Sequence, residues 1–174
     1  MEGSGIKWGV VGELVDIKEV PRIPMVTALK RTVFVGTFRH SVDEKKRLAI
    51  PAKWRAAAKG NSEFYVLPMP NHHLFVLPES AMEKMMEQAD GISIGEYDRR
   101  SALRLIMGGA QSAQLDSQGR IILTEKLIAH AELDDEAVLV GMLKGFEIWS
   151  PARHAQVQQQ DAGQFTELAK QLGL

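Results

Sequence analysis

The chain contains one short pattern twice, and this duplication constrains its fold more than any other feature. Residues 41–50 read "SVDEKKRLAI" and residues 114–123 read "QLDSQGRIIL". Each has an apolar residue, Asp, three residues, Arg and an aliphatic run. An isolated Asp-x-x-x-Arg is cheap in a chain with ten arginines. The surroundings make chance a poor explanation. Gly36 and Gly109, Val42 and Leu115, Asp43 and Asp116, Arg47 and Arg120, Leu48 and Ile121, Ile50 and Leu123, and Trp54 and Leu127 all stand 73 residues apart. Farther on, "LFVLPES" meets "FEIWSPA" at an offset of 72. Two copies are too few for a solenoid, so the expected object is a single pseudo-two-fold domain.

Each copy shows the same order of elements. The β-branched and aromatic residues of "TVFVGTFRHSV" suit a strand, "DEKK" a turn and "RLAI" a second strand. "PAKWRAAAK" opens with proline and continues in good helix formers, which predicts a helix stopped by Gly60-Asn61. "EFYVLP" and "HLFVLP" read as strands. "ESAMEKMMEQA" and "EYDRRSALRLIM" read as helices, the second ending at Gly108-Gly109. The second copy runs through strand "AQSAQL", turn "DSQG" and strand "RIIL" to helix "TEKLIAHA", with Thr124 as its N-cap. Strands "EAVLVGML" and "FEIWS" follow around a "KG" turn, then a Pro-opened C-terminal helix that Gly163 threatens to break. The expected division is 1–31 as an N-terminal extension, 32–107 as the first repeat with a helical insert, and 108–174 as the second repeat with the C-terminal helix. The extension, with its Pro-punctuated "VPRIPMV", reads as an arm or as a start-site extension with Met25 the working start.

The 174 residues suit one ordinary domain or two very small ones sharing a core. Net charge is −1, yet residues 30–59 carry nine Lys/Arg against Asp43 and Glu44, a local +7 that leaves −8 for the rest. This asymmetry suggests a face for a polyanion; the plainer alternative is a solvated face whose balancing acids lie elsewhere in space. The absence of cysteine removes disulfides and thiolate zinc sites and fits a reducing cytoplasm. No apolar run approaches the roughly 18 residues of a membrane span, and the N-terminus lacks the form of a signal peptide. There is no G-x-S-x-G elbow, phosphate loop or dinucleotide fingerprint. His72 and His73, placed on a strand, face opposite ways and cannot share a metal, so neither metal nor cofactor is expected. Met82, Met85 and Met86 have helical spacing and read as packing. Trp54 and Trp149 read as core.

An Asp at the start of a turn accepts backbone N–H bonds from the residues ahead of it, and Gly119 offers a position of easy positive φ. The Arg beyond the turn can pair with Asp, locally or in the other copy, and this structural use stands beside a functional one. In the functional reading a two-stranded ribbon enters the DNA major groove. Arg there donates two hydrogen bonds to guanine O6 and N7, and Lys45 and Lys46 bind phosphate.

On these features residues 34–172 resemble the MraZ family, bacterial transcriptional regulators built from two swapped-hairpin repeats of the AbrB type. Asp43-x-x-x-Arg47 and Asp116-x-x-x-Arg120 carry the resemblance, supported by "RLAIPAKWR", "YDRRSALRLIMGGA" and "FEIWSPARHA". It implies an α+β, mainly β fold whose two pseudo-symmetric halves form one barrel-like unit with peripheral helices. It also implies a homo-oligomeric ring, cytoplasmic and nucleoid-associated. The ring would bind short G-rich direct repeats in double-stranded DNA upstream of the division and cell wall gene cluster, and repress it. Arg47 is then the principal DNA contact, with Lys45, Lys46, Arg120, Arg39 and Gln118 as further DNA-binding residues. Asp43, Asp116 and Gly119 hold the turns.

The chain departs from the family in two places: the extension before Thr32 is atypical, and Lys46 stands where glycine is common. A non-Gly residue at positive φ costs about 1 kcal/mol, which leaves the shape of the first turn open. "KKR" against "QGR" makes the first copy strongly basic and the second nearly neutral, so the first copy is expected to dominate DNA contact. Arg22, Lys30 and Arg31 add charge beside the patch. Two other readings compete. One is the same ring as a scaffold for an acidic protein partner. The other is an enzyme using its Asp–Arg pairs on a phosphorylated substrate, for which general acid–base groups are not evident.

Overall fold

The computed structural model describes residues 33–58, 63–89, 91, 95–171 and 173. All of these belong to the unit formed by residues 31–174. The N-terminal extension with Arg22, Lys30 and Arg31, and the Gly60-Asn61 helix stop, lie outside the described residues.

The first copy supplies β1 (Thr37–Ser41), β2 (Arg47–Ala49), β3 (Phe64–Met69), β4 (His73–Pro78), α1 (Glu79–Ala89) and α2 (Tyr97–Gly109). The second supplies β5 (Gln111–Ala113), β6 (Arg120–Ile122), α3 (Glu125–His130), β7 (Glu136–Gly141), β8 (Phe146–Trp149) and α4 (Pro151–Gln171). The result is a mixed α+β fold built on sheet. Six strands form one antiparallel sheet in the order β1-β7-β8-β4-β3-β5, and β2 pairs with β6 in a separate ribbon. Among the described residues no pairing closes the sheet on itself.

The repeat explains this order. The offsets map β1 onto β5, β3 onto β7 and β4 onto β8, so the order reads the same from both ends. Each copy lends its first strand to the other: β1 pairs with β7, and β5 with β3. The copies meet at β4–β8, and again in the ribbon, where the equivalent residues Leu48 and Ile121 face each other. Two further equivalent bonds lengthen the ribbon: Ile50 N–H donates to Gly119 O at 3.0 Å, and Leu123 N–H to Lys46 O at 2.9 Å.

A single core lies between ribbon and sheet. Leu48, Ile50, Ile121 and Leu123 turn inward, and all four are buried. They share a cluster with Phe64, Val66, Leu74, Val76, Leu139, Phe146 and Ile148 of the sheet. Trp54 is fully buried and sits among Phe34, Phe38 and Phe146, with ring centroids 5.7, 5.0 and 5.0 Å away. Trp149 is also buried, stacked 4.1 Å from His73. Of the three methionines read as packing, Met82 is buried and Met86 is exposed.

Local departures from the expected elements have local causes. The strand expected from Thr32 is broken at Gly36, whose φ of +91° bends the chain between the Phe34–Leu143 bridge and β1. The segment expected as a helix from Pro51 is a tight turn followed by a 3-10 turn at Arg55–Ala58. There Trp54 N–H closes on Pro51 O at 2.8 Å, and the indole is drawn into the core, so tertiary packing outweighs helix propensity. His72 belongs to the β3–β4 turn, with φ of +58°, and only His73 is on a strand. Gly163 does not interrupt α4: an exposed helical glycine costs only about 1 kcal/mol relative to alanine.

Thr124 caps α3 as expected. Its extended backbone turns Oγ1 toward Leu127 N–H at 3.4 Å. The bond is long, so Thr124→Ala should cost about 0.5–1 kcal/mol in urea or thermal unfolding.

Candidate nucleic-acid interface

The duplicated motif forms two nearly identical turns at the two ends of the ribbon. In the first, Asp43 Oδ1 accepts the N–H groups of Lys45 and Arg47, both at 2.9 Å. In the second, Asp116 Oδ1 accepts those of Gln118 and Arg120, again both at 2.9 Å. The backbone closes each turn in the same way. Lys46 N–H donates to Asp43 O at 2.8 Å, and Gly119 N–H to Asp116 O at 2.9 Å. Asp43 N–H donates to Arg47 O at 3.1 Å, and Asp116 N–H to Arg120 O at 2.8 Å.

Lys46 therefore leaves the turn unchanged. It adopts φ of +59°, beside +75° for Gly119. Four side-chain and backbone bonds hold the turn around it, and this network offsets the left-handed cost of about 1 kcal/mol.

Strand alternation sets the direction of the arginines. Leu48 and Ile121 point into the core, so Arg47, Ala49, Arg120 and Ile122 lie on the opposite, outer face. Each guanidinium is then fixed by its own turn. Arg47 Nε donates to Asp43 Oδ2 at 2.6 Å, and this is its only side-chain ion pair among the described residues. Arg120 is tied more closely. Its Nε and Nη2 reach Asp116 Oδ2 at 2.8 and 2.7 Å, and its Nη1 lies 4.0 Å from Asp43 Oδ2 of the other copy. Arg47 thus keeps both Nη groups for a planar acceptor pair, and Arg120 keeps fewer.

The same hydrogen bonds hold the two carboxyls below the usual carboxylate range. The largest cause is the backbone N–H of Arg47 for Asp43, and of Arg120 for Asp116. A depressed folded-state pKa contributes stability that is complete above the unfolded value and disappears as pH falls through the folded one. Thermal melts should therefore be insensitive to these groups above about pH 5 and lose stability below about pH 4. The double variant Asp43→Asn/Asp116→Asn should have a shallower acid limb. An unchanged acid limb would show that the turns do not depend on ionised Asp.

The family described as "MraZ protein, putative antitoxin-like" matches the chain twice, over residues 33–105 and 106–173. The chain belongs to the MraZ family. It is 34% identical to the transcriptional regulator MraZ of Oenococcus oeni over 140 residues, covering 80% of this chain and 96% of the relative. With the transcriptional regulator MraZ of Roseiflexus castenholzii it shares 38% over 122 residues, 70% of this chain and 83% of the relative. With that of Pediococcus pentosaceus it shares 36% over 140 residues, 80% and 96% respectively. MraZ proteins are transcriptional regulators and not enzymes. No helix among the described residues is long and apolar enough to cross a membrane.

In this MraZ chain the ribbon brings together Asp43, Lys45, Lys46, Arg47, Asp116, Gln118, Gly119 and Arg120. Lys45, Lys46 and Gln118 make no side-chain hydrogen bond or ion pair among the described residues. Arg39 is not part of the cluster: it lies on β1 and pairs with Glu136 of β7 at 3.2 Å. In the sequence Arg55 is one of nine cations in residues 30–59. The structure packs its side chain on Gly119, with Nε donating to Ile50 O at 2.7 Å. The available signal was in the aligned copies, where Arg55 stands opposite Ile128, and Lys46 opposite Gly119. Gln111 also escaped notice. Its amide bridges the ribbon end, donating to Ile122 O at 2.8 Å and accepting from Thr124 N–H at 2.9 Å. An apolar cavity of about 670 Å³ between α2, α3 and the β3–β4 turn has Arg104 and Lys126 in its lining. Two of its polar groups are engaged with backbone, His130 Nε2 with Met69 O and Lys126 Nζ with Gly108 O.

Proposed function

We propose that this chain is a sequence-specific DNA-binding repressor that works as a homo-oligomeric ring. Its target is a set of short G-rich direct repeats upstream of the division and cell wall gene cluster. One observation carries the reading: a two-stranded ribbon presents Arg47 and Arg120 on its outer face, each pre-oriented by the Asp of its own turn. A guanidinium held through Nε keeps its Nη groups for guanine O6 and N7. Arg47 is the principal reader, and Arg120, with more of its donors engaged, is subsidiary. Lys45 and Lys46 bind phosphate, Gln118 contacts the duplex from the second turn, and Arg39 adds a peripheral phosphate contact from β1. The name of the relatives, transcriptional regulator, supports a role in gene regulation.

The barrel-like unit and the division into an extension (1–31) and two repeats (32–107, 108–174) belong to this proposal, as does nucleoid association. A ring gains affinity by joining several weak sites on one scaffold, so spaced repeats should bind far more tightly than a single one. The test is a titration against the chain's own promoter, with intact repeats and a scrambled duplex, at two salt concentrations. A large preference for intact repeats supports a sequence-specific regulator. Equal, weak and salt-sensitive binding to both would reduce the ribbon to a basic patch.

A further inference from the structure

The two turns share a backbone but differ in where their cation comes from. Lys46 and Gly119 hold equivalent positions with φ of +59° and +75°. At the first turn an ammonium side chain projects from that position. At the second nothing can: a Cβ on Gly119 would lie 2.3 Å from Arg55 Nε, 2.4 Å from Cζ and 2.6 Å from Cδ. Arg55 thus covers the face of the second turn from which Lys46 projects at the first.

The exchange is reciprocal. The offset of 73 places Ile128 opposite Arg55, and Ile128 is buried and apolar. Where the turn carries its own cation, the equivalent of Arg55 is a core residue. Where the turn has glycine, the first copy supplies a cation from the segment after Pro51. Arg55 is anchored through Nε to Ile50 O at 2.7 Å, and its Nη groups make no hydrogen bond among the described residues. Its charge also reaches β1, where it adds to burial in lowering the pKa of His40.

We propose that Arg55 is the phosphate-binding cation of the second turn, standing where Lys46 stands at the first, so that both ends of the ribbon offer a cation to a DNA backbone. This rests on the DNA-binding reading above. It replaces the expectation that the second copy is nearly neutral, because the missing charge is provided across the repeat boundary. A guanidinium with Nε engaged retains two terminal nitrogens, which suits a phosphate.

The test uses the full chain as wild type, Arg55→Gln, Gly119→Lys and Arg55→Ala/Gly119→Lys. Each is checked by thermal melting and titrated with its own promoter duplex across a salt series. Arg55→Gln keeps an N–H donor for Ile50 O and loses the charge. It should bind intact and scrambled duplexes roughly 3- to 10-fold more weakly and reduce the salt slope by about one. Gly119→Lys alone should lower Tm, since its Cβ collides with Arg55. The double variant removes that collision, places a lysine where Lys46 has its own, and should regain the wild-type slope.

An unchanged slope in Arg55→Gln, or a folded double variant that does not regain it, would overturn the inference. The double variant decides the matter even where Arg55→Gln lowers Tm. If the wild type binds and Arg47→Ala abolishes its sequence preference, an unchanged Arg55→Gln slope removes this inference alone. A wild type that binds no duplex overturns the DNA-binding reading and Arg55's phosphate role with it.

Discussion

Arg47→Ala is expected to weaken binding to the promoter repeats by about 1–3 kcal/mol per contact, roughly 5-fold to 160-fold, and to erase most of the preference over scrambled DNA. The size follows from the geometry. Arg47 Nε is committed to Asp43 Oδ2 at 2.6 Å, which fixes the plane of the guanidinium and leaves its Nη groups without a hydrogen bond among the described residues. A pre-oriented group loses less entropy on binding than a mobile one. Arg47→Lys should recover the salt slope but not the preference, because an ammonium cannot reproduce two parallel donors. Arg120→Ala should lose less, since Asp116 already engages both its Nε and its Nη2. The measurement is a duplex titration of all three variants. If Arg47→Ala binds intact repeats as the wild type does, base reading is not its role.

Trp54→Ala is expected to cost about 3–5 kcal/mol, the usual range for deleting a large buried aromatic. For a unit of this size that lowers Tm by roughly ten degrees or more. Trp54 is fully buried and contacts Phe34, Phe38 and Phe146 at once, so its loss opens a void where the first copy's turn segment meets the sheet. Its indole Nε1 is buried without a hydrogen-bond partner among the described residues. Trp54→Phe retains ring packing and removes that orphan donor, so it should lose only a fraction of the alanine cost. Chemical denaturation of the three proteins would check both expectations. A Trp54→Ala variant as stable as the wild type would show that the aromatic cluster does not hold the copies together.

Arg39 and Arg55 show where sequence reasoning stops. Both were cations in the same basic stretch, and charge counting treats them alike. The fold separates them. Arg39 faces Glu136 across an edge strand, whereas Arg55 is carried by the Trp54 anchor onto the glycine of the other copy's turn. Lys46 shows the opposite case. Taken alone, it left the first turn in doubt, because a side chain at positive φ is disfavoured. Asp43 had already specified the turn through its accepted N–H bonds, and the cost was absorbed.

Much was legible because it is local or periodic. The Asp-x-x-x-Arg turns, the strand alternation that turns Leu48 and Ile121 inward, the Thr124 cap and the two-copy organisation depend on neighbours within a few residues or on a constant offset. The tertiary structure decided what depends on partners distant in sequence. It set the exchange of β1 and β5 between copies, the conversion of the expected Pro51 helix into a 3-10 turn, and the placing of Arg55 over Gly119. The strand pairings between the copies join residues from about 45 to about 100 positions apart. No local pattern encodes which of several cations a buried tryptophan will carry onto the other copy's turn.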